Sequence, residues 1–163
     1  MNPPTQKYDD FEWASPADLA RRARTQEPWC FYRATAVHFE AGRVLPAVDG
    51  DGAEPPFGPL HVITAVQPDA DPEDAESAGR MDVLDCELAE RGLGAVPVVG
   101  AAIDGSHAEN SRAVFGLTDD EARAMGLRFG QVAIFSWSGS QWSALASATD
   151  RADHDRWRWE PNS

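Results

Sequence analysis

Apolar and polar positions divide the chain into short segments with two different periods. Leu60 to Val66 is apolar at both parities, which predicts an inner strand covered on both faces. Trp29 to Glu40 is rich in aromatic and β-branched residues and reads as a strand, with Arg43 to Val48 as its hairpin partner across Ala41-Gly42. Ala95 to Ile103, Arg112 to Leu117, Val132 to Trp137 and Gln141 to Ala146 read as further strands, the last two joined by Ser138-Gly139-Ser140. Helical spacing appears where Met81, Leu84 and Leu88 fall at i, i+3 and i+7. Asp71-Pro72-Glu73-Asp74 supplies the start of that helix and Gly92 its stop. Ser15-Pro16-Ala17-Asp18 opens a second helix, and Thr118-Asp119-Asp120-Glu121 is a capping box for a third, which Gly126 is expected to close.

Hairpins interleaved with helices predict an α+β fold. The expected form is a single mixed or mostly antiparallel sheet of about five to seven strands with two or three helices packed on it. A polar N-terminal arm over 1–14, carrying Tyr8, Phe11 and Trp13, precedes one domain over 15–148. A tail over 149–163 follows, mixing charges with Trp157 and Trp159, which would share one side of an extended segment and latch it to the body.

Composition narrows the function classes. The chain has 163 residues, 42% hydrophobic and 25% charged, which suits one globular domain. Its net charge of −13 repels phosphate backbones and anionic lipid surfaces, so neither nucleic acid nor membrane is an expected partner. No apolar run reaches the ~20 residues of a spanning helix, and Met1 to Asp10 lacks the basic and apolar regions of a secretory signal. Cys30 and Cys86 form no CxxC, and a cytoplasmic address with reduced thiols is expected. Cys30 is assigned to the core of its strand. Cys86 has Asp82 and Glu90 one turn away on either side, which disfavours a thiolate.

Motifs for phosphate cradling, dinucleotide binding, a nucleophile elbow or a zincin helix are absent. His38-Phe39-Glu40 matches half of a deaminase signature without its cysteine pair, and Asp49-Gly50-Asp51-Gly52 lacks the later ligands of a calcium loop. His107 and Glu109 have no third or fourth metal ligand, and His107 with Ser111 has no orienting acid. No metal and no cofactor is expected.

Three stretches resemble a bacterial family known as domain of unknown function 3293. They are Val62-Ile63-Thr64-Ala65 with Pro68; the helix from Glu76 to Gly92 with Leu84 and Leu88; and Glu109-x-Ser111 followed by Leu127-x-Phe129-Gly130-Gln131-x-Ala133-Ile134-Phe135. Together they cover most of residues 30 to 146. Gln67 stands where that family usually has Asn, and Ser77 replaces another Asn. If those asparagines serve a site, it is altered here. The family brings no activity with it, so the resemblance assigns no reaction.

Two functional readings follow. Polar side chains at strand ends, namely Thr64, Gln67, His107, Glu109, Ser111 and Gln131, would floor a pocket for a small polar molecule. Against this, each has a routine structural role: capping a turn, satisfying backbone or bonding a loop. The alternative is a non-catalytic module docking a basic protein partner through the helix around residues 72–91. Nine carboxylates and one arginine lie between Asp69 and Glu90, with Asp82, Asp85 and Glu90 as the proposed surface.

Overall fold

The computed structural model describes residues 6–162. The first five residues of the arm and the last residue of the tail lie outside that range. A 3-10 turn, Tyr8–Asp10, leads into α1 (Pro16–Ala23), α2 (Glu27–Arg33), β1 (Thr35–His38), β2 (Gly42–Pro46) and β3 (Leu60–Ile63). Then come α3 (Ala75–Glu90), β4 (Ala95–Ala102), β5 (Ala108–Val114) and α4 (Asp119–Arg128). The chain finishes with β6 (Ala133–Ser138), β7 (Gln141–Ala146), β8 (Ala152–Asp155) and β9 (Trp157–Pro161).

The nine strands form one sheet in the order β8-β7-β6-β3-β5-β4-β1-β2-β9, with every neighbouring pair antiparallel. This corrects the expected five to seven strands and two or three helices to nine strands and four helices among the described residues. The additional strands are β8 and β9. Their alternation, Trp157-Arg158-Trp159-Glu160, is that of a half-buried strand, concealed by its high charge. The additional helix is α2, which occupies the first part of the strand expected over Trp29 to Glu40. Its aromatic composition suits a strand, but Trp29 is buried against Leu19 and Ala23 of α1, and its indole donates to the Ala23 carbonyl at 2.8 Å. Tertiary packing overrides propensity there. Cys30 consequently lies on an exposed helix surface, not in the core.

The end of the chain closes the sheet on itself. β8 pairs with β7 and β9 pairs with β2, yet only Arg156 separates them. Two residues of extended chain span at most about 7 Å, so the two edges of the sheet must meet there. The segment is one extended strand that changes neighbours at Arg156, and the result is a nearly closed barrel with little free edge. Ala47 N–H donates to the Arg156 carbonyl at 2.9 Å and secures the seam.

Alternate side chains then point in or out. Outside, Ile63, Val114, Ile134 and Leu145 pack under α3 and α4 through Met81, Leu84, Leu88, Met125 and Phe129. α4 opens with the expected capping box, but it runs to Arg128; Gly126 lies inside it, where a Cβ would meet Ile134 at 2.7 Å, so its role is close packing. α3 is capped by Asp74, one turn later than the proline signal suggests, and Asp71 caps the preceding turn. Inside, Val37, Val44, Val62, Val98 and Ala113 meet Trp137, Trp142 and Trp157. The tryptophans fill one end of the barrel. The other end stays open.

Candidate functional site

The open end is a cleft of about 720 Å³, within the usual size range of small-molecule sites. Its sheet wall comes from β1, β3, β4, β5 and β6. Cross-strand register sets Ser111 opposite Val98, Glu109 opposite Gly100, and Gly100 opposite Val37, so all face the barrel interior. Gly100 leaves the wall without a side chain beside Glu109. The helical side of the mouth is the α1–α2 hairpin, contributing Arg21, Arg22, Phe31 and Tyr32.

All six sequence-selected pocket residues line this cleft, though they are not equivalent. Gln67 and Gln131 are main-chain staples. Gln67 accepts from Ala14 N–H at 2.8 Å and donates to the carbonyls of Ala65 and Phe129 at 2.9 and 2.8 Å. Gln131 donates to Val66 and Phe129 carbonyls at 2.9 and 3.0 Å. Gly130, at φ +69°, sits against the Gln67 amide, where any Cβ would collide. Thr64 donates to the Asn110 carbonyl at 2.7 Å and accepts from Val66 N–H. Among the described residues, the buried Ser111 hydroxyl has only a long contact, 3.4 Å, to the Glu109 carbonyl.

Glu109 and His107 differ from these. Their side chains meet at 3.2 Å, and His107 also packs edge-on against Phe31. Glu109 keeps 30% of its side-chain surface reachable from the cleft. Among the described residues, only His107 is within ion-pair reach of it. Burial pushes its carboxyl above the ordinary value of 4.5, against the opposing pull of His107. The Tyr32 phenol is pushed up as well, first by burial and then by the Glu109 carboxylate. A raised carboxyl pKa means that ionisation opposes folding. Wild-type stability from this group is greatest below pH 4.5 and is lost as pH rises through the raised folded-state value. Glu109→Gln is therefore expected to unfold at higher denaturant concentration than wild type at pH 7. That advantage should shrink towards pH 4, and paired urea titrations at the two pH values measure it.

The guanidiniums at the rim are already engaged. Arg22 bonds Asp18 at 2.9 Å and Asp69 at 2.8 Å, and Arg21 also bonds Asp18. Sequence reasoning missed Phe31, Tyr32, Arg22 and Gly100. Pro28 behind Glu27, a proline and an acid in the first turn of α2, was the available signal for the helix that carries the two aromatics.

The surface selected for docking divides. Asp82 and Glu90 are exposed, but Asp85 grips Arg112 with both oxygens at 2.7 and 3.0 Å and ties α3 to β5. Elsewhere on the outer face, Asp119 binds His61 at 2.7 Å and Ser136 at 3.1 Å. Burial would raise its carboxyl, but these bonds win and hold it below the usual range. Among the described residues, no group of three or more His, Cys, Asp or Glu is placed to hold a metal, and no helix is long and apolar enough to cross a membrane.

Fold and cleft together define an antiparallel, nearly closed β-barrel domain with helical cover and an open, ligand-sized mouth. Residues 63–134 match the model of a family described as a protein of unknown function (DUF3293), which the chain resembles over that span. The span runs from the last residue of β3 into β6 and includes all six sequence-selected pocket residues, but neither α2 nor the closing strands. No curated protein and no solved structure matches the chain.

Proposed function

We propose that this domain binds a small polar molecule in the mouth of the barrel, with Glu109 as its polar anchor. The observation that carries this reading is a half-buried carboxylate, within ion-pair reach of His107 alone among the described residues, in a largely apolar, open cleft. Such a group is retained where it meets a ligand more readily than where it serves the fold alone. Thr64, Gln67 and Gln131 act as supports. Their bonds to main chain hold the segments 64–67 and 129–131 that rim the cleft. His107 orients the Glu109 carboxylate through one oxygen and leaves the other for the ligand.

The test is a variant that fills the cleft without touching its chemistry. A Cβ on Gly100 meets nothing nearer than Ser111 Oγ at 3.8 Å, so the wall has room for one, and the Gly100→Leu side chain is expected to enter the cleft, with a circular dichroism spectrum matching wild type to establish that the variant folds. Thermal-shift screening of a panel of small amines, amides, alcohols and carboxylic acids is expected to give stabilising compounds for wild type. The same compounds should fail on Gly100→Leu. Hits that stabilise both proteins equally would place binding elsewhere.

A further inference from the structure

We infer that the cleft is selective for an organic ammonium group, held between the Glu109 carboxylate and an aromatic corner made by Phe31, Tyr32 and Phe135. This inference rests on the proposed binding role of the cleft and names the class of its ligand.

Three observations converge. The aromatic rings line the same cleft as Glu109, and Phe31 and Phe135 each meet Tyr32 edge to face. Tyr32 and Phe135 are 6.0 Å apart at 90°, and Phe31 and Tyr32 are 6.4 Å apart at 72°. The three rings form walls of a corner, Phe135 being backed by Trp142 stacked on it at 5.1 Å, and a cation is attracted to the free π-face of such a wall. Phe31 leaves 42% of its surface exposed at the mouth, an apolar area that an alkylated ammonium would cover.

The second observation is the charge balance. Glu27, Asp69 and Glu109 line the cleft against Arg21 and Arg22, and both arginines are bound to Asp18, with Arg22 bound to Asp69 as well. An incoming anion would have to compete with those carboxylates. An incoming cation finds a carboxylate oxygen without a partner, in a protein whose net charge is −13.

The third is the chemistry of the walls. Val62, Val66, Val132 and Pro28 line the same cleft as Glu109, so the site suits a charge carried on an apolar body and not a small hydrated inorganic ion.

The experiment uses choline and its uncharged isostere 3,3-dimethyl-1-butanol, titrated calorimetrically into the full chain. Choline carries a permanent charge, so its own protonation does not enter. Wild type is expected to bind choline at least tenfold more tightly than the alcohol. Glu109→Gln should bring the two within about twofold of each other, and Tyr32→Leu should weaken choline more than the alcohol. Circular dichroism spectra matching wild type establish that each variant is folded. Gly100→Leu should bind neither compound.

Equal binding of both compounds to wild type, or a preference undiminished in Glu109→Gln, would overturn the ammonium inference and leave the cleft as a binding site for another class. Failure of both compounds, while members of the wider panel bind in a manner lost in Gly100→Leu, would do the same. Failure of every compound, or binding indifferent to Gly100→Leu, would remove the proposed function itself.

Discussion

Trp157→Ala is expected to lower stability by about 4 kcal/mol, the usual cost of removing a buried aromatic side chain. For a chain of this size that corresponds to a fall of roughly 10 °C in melting temperature. Trp157 is 3% exposed and stands edge-on to Trp137 with ring centroids 5.0 Å apart. Its indole N–H donates to the Gly139 carbonyl at 2.9 Å. The backbone folds closely around it: a Cβ on Gly52 would lie 2.5 Å from its ring, so the loop after β2 has no room for a side chain there. The residue thus joins four parts of the molecule, the closing strand, the loop at Gly52, the β6–β7 turn and the tryptophan core. Because β2 is the one strand that β9 pairs with, loss of this anchor should also release the seam. Hydrogen exchange would show it as lost protection at Arg158 to Glu160 beyond the global change. A loss below about 1 kcal/mol in urea unfolding would mean that the barrel end closes without the tryptophan.

The second large effect is expected at Gln67. Its side-chain amide satisfies Ala14 N–H and two carbonyls in a region with little access for water, and buried groups left unsatisfied cost about 1–3 kcal/mol each. Gln67→Ala is expected to lose about 3 kcal/mol. Gln67→Glu preserves the shape but turns a donor of two hydrogen bonds into an acceptor facing the Ala65 and Phe129 carbonyls, and it should be at least as damaging at pH 7. Both variants loosen the wall that carries Thr64 and Val66, so ligand affinity should fall along with stability. Glu109→Gln, by contrast, is expected to gain stability. Urea unfolding of the three variants separates an amide the fold needs from a carboxylate it does not; similar losses in all three would collapse that distinction.

The legible parts of the fold are those governed by neighbours a few residues apart. Ser15 and Thr118 cap their helices as their sequences indicate, with Ser15 accepting from Asp18 N–H and Thr118 from Glu121 N–H. The stripe Met81, Leu84, Leu88 is buried, and Gly92 ends its helix at φ +67°. Tyr8, Phe11 and Trp13 pin the arm to the body, Trp13 lying 5.4 Å edge-on to Phe129 and Tyr8 lying under the Arg128 guanidinium at 3.9 Å. α2 was not legible. Its residues favour a strand locally, and what makes them a helix is Trp29 seated in a hollow built by α1, β6 and β7.

The polar lining of the cleft was legible in membership, and the part each residue plays in it was not. Polar residues at strand ends pointed to the cleft, but nothing local distinguishes Gln67, whose amide is spent on main chain, from Glu109, whose carboxylate is half free. The separation depends on partners far along the chain, such as Ala14 for Gln67 and the aromatics of α2 beside Glu109.

By itself, the sequence determined the caps of α1 and α4, the approximate positions of most strands, and the excess of negative charge, because each follows from residue type and short-range spacing. Closure of the barrel, the filling of one end by tryptophans and the opening of the other were decided only in three dimensions. They require Gly42 to pair with Pro161 and Trp142 with Asp155 across opposite edges of the sheet. Pairings of that kind are set by packing the whole chain at once.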